Sequence, residues 1–328
     1  MSKVLGIGNA LVDIMTRLEN DDTLVAFQLP KGSMQLVDQV LSDVVNQHTN
    51  LCKKEIASGG SAANTIYGLA RLGIETAFIG KVGKDLFGQL FREDMQVNKI
   101  KPLLFESDTP TGKAIALISP DSERTFATCL GAAVELTPDD LVIELFDGFD
   151  YLHIEGYLVQ NHHLIEKAVK LAKEKGLRVS LDMASYNVVD AHIQFLREII
   201  RLYVDILFAN EEEARSFTGK EPEEALNEMA GMVDIAIVKT GQTGSLVRQG
   251  DHIFRVEPIK AVSVDTTGAG DLYAAGFIYG LIKGLPLDKC GKSGSLLAGK
   301  TIEVVGPKMT PEKWQDVLRQ LEMLGNTG

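Results

Sequence analysis

The segment of this chain with the clearest chemical potential is Asp265-Thr266-Thr267-Gly268-Ala269-Gly270-Asp271, which leads directly into a run of small and apolar residues with helical spacing. Small residues at a helix start leave the first backbone N–H groups unobstructed, and the helix dipole stabilises an anion there. Asp271 falls in the first turn, so its carboxylate could take a proton from a hydroxyl while Gly268, Ala269 and Gly270 hold a transferring phosphoryl group. The alternative is an aspartate that only complements the helix dipole.

A second motif, Ser58-Gly59-Gly60-Ser61-Ala62-Ala63-Asn64, runs into another predicted helix. Glycine lets a ligand approach the backbone closely, and an asparagine offers both a donor and an acceptor to a diol. Asn9 and Asp13 follow the first predicted strand, and an aspartate that accepts two hydroxyl bonds is a common way to hold vicinal hydroxyls. These residues predict a site for a polyhydroxylated molecule, although all three residue types are also ordinary in turns.

Two further motifs follow predicted strands. The run Asn210-Glu211-Glu212-Glu213 begins a helix just after a strand that ends at Phe208, at the sheet edge where ligands of such folds bind. The helix dipole alone would also favour glutamates at this position. The run Lys239-Thr240-Gly241-Gln242-Thr243-Gly244 follows another strand, and its glycines suit a ligand-binding loop as well as a plain turn.

Two other segments resemble phosphate-binding patterns, and each fails a requirement of its pattern. Gly6-Ile7-Gly8 has the spacing that begins a dinucleotide-binding fingerprint, but Leu11 occupies the place of the third glycine. The segment 294–301 has Walker A spacing, but small polar residues precede it where a buried strand is required, and Leu296 and Leu297 fit one face of a continuing helix. The sequence therefore disfavours both a Rossmann dinucleotide site and a P-loop.

The first four motifs resemble those of the ribokinase family, also called the phosphofructokinase-B (PfkB) family, in family order from Asn9 to Gly306. The resemblance implies an ATP-dependent kinase that phosphorylates a hydroxymethyl group, with Asp271 as the catalytic base. It also implies contacts of three kinds: substrate hydroxyls at Asn9, Asp13, Gly59, Gly60 and Asn64; ATP at Asn210, Glu213, Gly241 and Gly244; and metal ions, with Mg²⁺ held indirectly by Glu213 and a monovalent cation such as K⁺ near Asp265, Thr267 and Gly306.

Other segments resemble the adenosine-kinase-like branch of the family: Pro110-Thr111-Gly112, residues 122–126 and the long insertion from residue 13 to residue 37. The resemblance implies a small sheet that acts as a lid, with Arg124 and Phe126 on it contacting the substrate. A closed lid excludes water, which competes with the acceptor hydroxyl. Tyr157 follows a strand that should end at the site, so it could stack on a flat base. The chain departs from adenosine kinases at Leu158, which stands where an aromatic residue covers the base.

Three hypotheses about function remain at this point. The first is a nucleoside kinase, with adenosine as the favoured acceptor, because Leu29, Met34 and Leu36 could add apolar contacts to a purine. The second is a fructokinase-like or ribokinase-like sugar kinase, because sugars and nucleosides present similar diols to the chain. The third is a non-catalytic sensor of a nucleoside or sugar. The intact motif at Asp271 argues against the sensor, which has no use for a base.

The elements that position these motifs alternate between short apolar runs and helical segments over most of the chain, and this alternation predicts βαβ units with a mostly parallel sheet. We expect one ribokinase-like domain over residues 1–328, a three-layer αβα sandwich. Residues 11–37 and 103–128 break the rhythm and alternate apolar with polar residues, which is typical of strands with one solvated face. They are predicted to form the small β-sheet lid.

Composition narrows the choice of partners. The 328 residues carry a formal net charge of −12, which argues against nucleic acid as a partner because such binding needs clustered lysine and arginine. Cys52, Cys129 and Cys290 lack disulfide or zinc-site spacing. No apolar run suits a signal peptide or a membrane span. We therefore expect a cytoplasmic protein, monomeric or homodimeric, whose partners are ATP and a small nucleoside or sugar.

Overall fold

The computed structural model of the protein describes residues 2–121 and 123–326, so Ser122, in the predicted lid, lies outside the described residues. The strands in chain order are β1 (Lys3–Ile7), β2 (Leu11–Arg17), β3 (Met34–Leu36), β4 (Lys54–Gly59), β5 (Glu75–Gly83), β6 (Ile100–Ser107), β7 (Thr111–Ile118), β8 (Arg124–Gly131), β9 (Tyr151–Glu155), β10 (Arg178–Asp182), β11 (Ile206–Asn210), β12 (Ile235–Lys239), β13 (Ser245–Gln249) and β14 (His252–Val256).

The helices alternate with these strands through most of the chain and then follow one another at its carboxyl end. They are α1 (Asp22–Ala26), α2 (Gln39–His48), α3 (Ser61–Arg71), α4 (Leu86–Val97), α5 (His162–Glu174), α6 (Tyr186–Tyr203), α7 (Glu211–Thr218), α8 (Pro222–Ala230), α9 (Ala269–Ile282), α10 (Leu287–Thr301) and α11 (Pro311–Asn326). The Walker-like segment 294–301 lies inside α10, as the helical interpretation of its leucines predicts.

Nine strands form the large sheet, in the order β14-β13-β12-β11-β10-β9-β1-β5-β6. The seven strands from β12 to β6 are parallel, and β13 and β14 add an antiparallel edge. Side chains alternate between two cores: in β11, Ile206 and Phe208 face one core and Leu207 and Ala209 face the other. Helices cover both faces, which confirms the predicted three-layer αβα sandwich with a mostly parallel sheet.

The two cores identify which helices form each outer layer. Phe277 of α9, Leu297 of α10 and Trp314 of α11 belong to one buried cluster, together with side chains of α3. Phe217 of α7 and Leu226 of α8 belong to the other, together with side chains of α5 and α6. Apolar strands buried on both faces in this way are a property of parallel sheets.

The small sheet has five strands in the order β3-β8-β7-β2-β4. Its predicted limits need two corrections. Residues 103–107 belong to β6, which pairs with β5 at the edge of the large sheet; a partly covered edge strand gives the same period-two pattern as a lid strand. Residues 54–59 form β4, which pairs with β2 and was not predicted because its residues are mostly charged or small.

The two sheets are connected by a very short crossing. Only Gly8, Asn9 and Ala10 separate β1 of the large sheet from β2 of the small one. The chain returns through β4 into α3, and the turn at Gly60 has a φ of +99°. A Cβ at Gly60 would lie 2.2 Å from the Asn9 carbonyl oxygen, so this turn requires glycine. The crossing and the turn therefore pack directly against each other.

Within the described residues, none of the helices combines the length and apolar character that a bilayer span requires. All three cysteines are free thiols, and Cys129 and Cys290 are buried. This agrees with the absence of disulfide spacing in the sequence.

Candidate active site

A cleft of about 1680 Å³ lies between the carboxyl ends of the parallel strands and the inner face of the small sheet. Parallel strands direct their carboxyl ends to one edge, so residues distant in sequence converge there. Fifteen of the predicted site residues line this cleft: Asn9, Asp13, Gly60, Asn64, Phe126, Tyr157, Asn210, Glu213, Gly241, Gly244, Thr267, Gly268, Ala269, Gly270 and Asp271. Gly59, Arg124, Asp265 and Gly306 are not among the lining residues.

Asp271 is held from the side by α3. The Ser61 hydroxyl donates to one carboxylate oxygen at 2.7 Å, and the Asn64 side-chain amide donates to the other at 2.9 Å. Burial raises the pKa of Asp271 to about 6, although these two hydrogen bonds oppose the rise. A carboxylate with a pKa near neutrality, fixed in orientation, is suited to accept a proton.

The start of α9 forms the adjoining anion site. Gly268 caps the helix with a left-handed φ of +74°. The Ala269 N–H donates to the Thr266 carbonyl oxygen at 3.1 Å, whereas no hydrogen bond among the described residues occupies the N–H groups of Gly268 and Gly270. These two groups, with the helix dipole behind them, can therefore receive an anion.

On the opposite side of Asp271, Asn9 is positioned by Glu155, the last residue of β9. The buried Glu155 carboxylate accepts hydrogen bonds from the Asn9 N–H at 3.0 Å, from the Asn9 side-chain amide at 2.6 Å and from the Ala62 N–H at 2.9 Å. Burial raises the pKa of Glu155 to about 7 against the effect of these bonds. Glu155 thereby ties the crossing between the sheets to the start of α3.

Asp13 lies in β2 and faces the cleft from the small sheet. Gly59 does not reach the cleft but supports Asp13, because a Cβ at Gly59 would lie 2.2 Å from the Asp13 carboxyl carbon. Burial raises the pKa of Asp13 to about 7, and the ammonium of Lys308 opposes the rise. Lys308 is itself held by the Ser58 hydroxyl at 2.8 Å and by Asp94.

Asn210 and Glu213 form a reciprocal capping box at the start of α7. The backbone N–H and side-chain amide of Asn210 donate to Glu213 at 2.8 and 2.7 Å, and the Glu213 N–H donates back to the Asn210 side-chain oxygen at 2.8 Å. Burial raises the pKa of Glu213. Both residues line the cleft, but their side chains are engaged first with each other.

Lys239, the last residue of β12, faces the same end of the cleft. Its ammonium donates to the Asp182 carboxylate at 2.7 Å; the Asp182 side chain is buried, with 5% of its surface exposed, and the Lys239 side chain is half-buried, with 14% exposed. A Cβ built on Gly270 would lie 3.1 Å from the Lys239 Nζ atom, so the ammonium is beside the start of α9. Burial alone would lower the pKa of Lys239, but Asp182 and Glu213 raise it above its usual value.

The residues predicted to hold a monovalent cation lie together, and the Asp265 carboxylate is already engaged. The Asp265 carboxylate accepts from the Thr267 N–H at 2.7 Å and from the Gly306 N–H, and it forms a buried ion pair with Arg124 of β8. Arg124 therefore binds Asp265 and is not among the residues that line the cleft, and its contact with the substrate stays a prediction. The Arg124 guanidinium forms a charge-assisted hydrogen bond with the buried Asp265 carboxylate, which holds it away from the cleft.

The apolar part of the cleft comes from the small sheet and from the segment after β9. Met34, Leu36, Phe126 and Tyr157 line it, and the Tyr157 hydroxyl donates to the Ala184 carbonyl oxygen at 3.3 Å. Leu158 is buried and does not line the cleft. These side chains form a surface that can accommodate a flat apolar group.

Four functional candidates were not predicted from the sequence: Glu155 and Asp182 lie outside the motifs, and Ser61 and Lys239 lie inside them but had no assigned role. Three of them have a common signal, since Glu155, Asp182 and Lys239 each end a buried apolar strand. A polar residue at the carboxyl end of a parallel strand points to the ligand edge of the sheet. The pairing of Asp182 with Lys239 joins positions 57 residues apart, which no local pattern reveals.

Comparison with known proteins identifies the family to which this fold belongs. The model of the pfkB family carbohydrate kinases matches residues 34–314, so the chain belongs to that family. It is 28% identical to adenosine kinase of Saccharomyces cerevisiae over 331 residues, covering 94% of this chain and 96% of that protein.

Solved structures extend the similarity over the whole fold. A probable sugar kinase from Rhizobium etli has a TM-score of 0.89 and 34% identity, covering 99% of this chain and 98% of that one. Adenosine kinase from Sinorhizobium meliloti has a TM-score of 0.88 and 33% identity, covering 97% and 99%. The protein is thus a PfkB kinase similar to adenosine kinases, and the family implies ATP and a divalent metal ion.

Proposed function

We propose that the protein transfers the γ-phosphoryl group of ATP to the hydroxymethyl group of a nucleoside, with adenosine as the preferred acceptor and Asp271 as the catalytic base. The observation that carries the proposal is the position of the Asp271 carboxylate. It faces the cleft beside the start of α9, and Ser61 and Asn64 fix it there. A base and an anion site side by side are what in-line phosphoryl transfer requires.

In the proposed reaction Asp271 accepts the proton of the acceptor hydroxyl. The hydroxyl oxygen forms a bond to the γ-phosphorus while the bond to the β,γ-bridging oxygen breaks, and ADP leaves. The N–H groups of Gly268 and Gly270 stabilise charge on the transferring group. The Ala269 N–H, engaged with Thr266, contributes mainly by shaping the turn.

On the donor side we assign Asn210, Glu213, Gly241 and Gly244 to the nucleotide. The described residues contain no group of three or more histidine, cysteine, aspartate or glutamate side chains that could hold a metal ion. Mg²⁺ keeps several waters and binds through phosphates and one or two carboxylates, and we assign Glu213 an indirect contact with it. When bound, Mg²⁺ neutralises phosphate charge. A monovalent cation near Thr267 remains a prediction that concerns backbone carbonyl groups.

On the acceptor side we assign the hydroxyl groups to Asn9, Asp13 and Asn64, with Gly60 close to the ligand and Gly59 behind Asp13. Glu155 accepts one N–H of the Asn9 side-chain amide, so the amide oxygen and the second N–H are the groups left to meet a hydroxyl. We assign the base to Tyr157, Phe126, Met34 and Leu36, since aromatic and thioether groups add stacking and dispersion that a free sugar cannot use. The adenosine kinases among the relatives support this choice.

The test is steady-state kinetics of ADP formation at saturating MgATP with adenosine, inosine, ribose and fructose. We expect a higher kcat/KM for adenosine than for either sugar. A preference for ribose or fructose by tenfold or more, about 1.4 kcal/mol in transition-state binding, would reject the nucleoside as acceptor and leave a sugar kinase.

A matched pair of variants tests the base surface. We expect Tyr157→Leu to lower kcat/KM for adenosine by about tenfold, the scale of an aromatic contact, and to leave ribose turnover nearly unchanged. Tyr203→Leu, at the end of α6 and outside the cleft lining, is the control. Equal effects of Tyr157→Leu on both acceptors would contradict the assignment.

A further inference from the structure

The cleft has an unusual charge balance for a site that must hold a nucleotide. Seven of its lining residues are carboxylic acids: Asp13, Glu155, Asp182, Glu211, Glu212, Glu213 and Asp271. The lining includes two lysines and no arginine among the described residues. One of the lysines, Lys260, is exposed on a loop, and the other is Lys239. A polyphosphate in this cleft therefore has few cationic partners from the protein itself.

Lys239 is the lysine at the reaction end of the cleft. Its ammonium lies beside Gly270, whose backbone N–H makes no hydrogen bond among the described residues, and it donates a hydrogen bond to the Asp182 carboxylate, which holds it in this position. Three charged groups act on Lys239: Asp182 at the end of β10, Glu213 in the first turn of α7 and Asp271 in the first turn of α9. All three favour the charged ammonium, so Lys239 is a fixed cation next to the anion site.

From this geometry we infer that Lys239 is a further catalytic residue, whose ammonium contacts the transferring phosphoryl group together with the N–H groups of Gly268 and Gly270. The inference rests on the proposed function of this cleft and adds to it. Lys239 donates hydrogen bonds to the phosphoryl group and keeps its protons, while Asp271 accepts the proton of the acceptor hydroxyl group. Asp182 holds the ammonium in place before the reaction, which removes the need to reorganise it.

A purely structural ion pair is the competing interpretation, and the location argues against it. A buried ion pair is often no more stable than apolar residues of the same volume, so stability alone is a weak reason to retain one. The pair Lys81 and Asp140 has similar burial, with 14% and 19% of the side chains exposed at 3.0 Å, but lies outside the cleft lining. It provides a matched control for the loss of a half-buried lysine.

The experiment compares Lys239→Met with Lys81→Met. We expect Lys239→Met to lower kcat by about 10²-fold or more, the scale of losing one donor to developing charge. We expect the dissociation constant of the acceptor, measured by calorimetry without ATP, to stay within threefold of wild type. Lys239→Arg, which keeps the charge, should recover at least tenfold of the lost kcat. Lys81→Met should keep kcat within threefold while lowering the melting temperature comparably.

The outcomes separate this inference from the proposed function. If wild type forms ADP in the presence of acceptor and Lys239→Met matches Lys81→Met in kcat, the catalytic role is rejected and the kinase stands. If wild type and every variant lack acceptor-dependent ADP formation, the proposed function itself fails. Should Lys239→Met not fold, Lys239→Gln decides the question, because it can still donate to Asp182 without the charge, and the same loss of kcat is expected.

Discussion

Replacing Asp271 by asparagine tests the proposed base with almost no change in shape. The Ser61 hydroxyl and the Asn64 amide now donate to the two carboxylate oxygens, and both can rotate to satisfy an amide instead. The anion site and Lys239 are untouched. Loss of general-base help should lower kcat by about 10²- to 10⁴-fold, which is about 2.7 to 5.4 kcal/mol in the transition state.

The same substitution has an expected effect on stability that can be worked from the pKa. Burial raises the pKa of Asp271 from 3.8 to about 6, so above pH 6 the folded protein keeps a charge that it disfavours, at a cost on the order of 2 to 3 kcal/mol. Asparagine removes this cost. The variant should melt at the same temperature as wild type or higher at pH 7.5. The difference should shrink between pH 6 and pH 4, where wild-type Asp271 becomes neutral as well.

The assay couples ADP release to NADH oxidation, with melting curves recorded at pH 7.5 and pH 4 and ATP binding measured by calorimetry. We expect a large loss of kcat in a protein that binds ATP and is at least as stable as wild type. Turnover within tenfold of wild type would refute Asp271 as the base. A melting temperature several degrees lower at pH 7.5 would refute the reasoning on its burial.

Two further predictions concern α3 and the turn before it. Ser61→Ala removes a hydrogen bond that lowers the pKa of Asp271, so the acid limb of the kcat/KM profile should move to higher pH by about one pH unit. Thr65→Val is the control, because it loses a bond only to the Asp271 backbone oxygen and should leave the acid limb in place. Gly60→Ala should lower the free energy of unfolding in urea by about 2 to 4 kcal/mol, because the new side chain brings both backbone strain and a clash. Gly73→Ala should lower it by only about 1 kcal/mol, because Gly73 also has a positive φ but has open space around it. Equal effects of the two glycine substitutions would contradict the packing argument.

The sequence predicted the motifs well because each is a local event. A glycine-rich run before an apolar helix places Asp271 in the first turn of α9 whatever the rest of the chain does, and the structure has α9 begin at Ala269. The parallel strands were recognisable in the same way, because burial on both faces requires runs such as those of β10 and β11.

The partners of these residues could not be predicted, because they depend on which strand ends become neighbours. Glu155 contacts Asn9 across 146 positions of sequence, and Arg124 contacts Asp265 across 141. The assignment of Arg124 to the substrate came from the family resemblance of residues 122–126, and nothing local indicated the buried carboxylate that binds it. The limits of the small sheet were mispredicted for a related reason. β4 joins the sheet through backbone pairing with β2, and that pairing is not visible in the side chains of β4.

The three-residue crossing between β1 and β2 has a consequence for the exchange of lids among relatives. Asn9 is in the crossing itself, Asp13 is in the strand that follows, and Gly60 closes the loop where the chain leaves the small sheet again. The cover of the cleft and two of the proposed hydroxyl ligands, Asn9 and Asp13, therefore belong to one covalent segment. A chimera that transplants only β3, β7 and β8 would change Met34, Leu36 and Phe126 and keep the recipient's proposed hydroxyl ligands. A chimera that takes residues 8–60 together with β7 and β8 would also transfer Asn9 and Asp13, while Asn64 and Tyr157 would still come from the recipient.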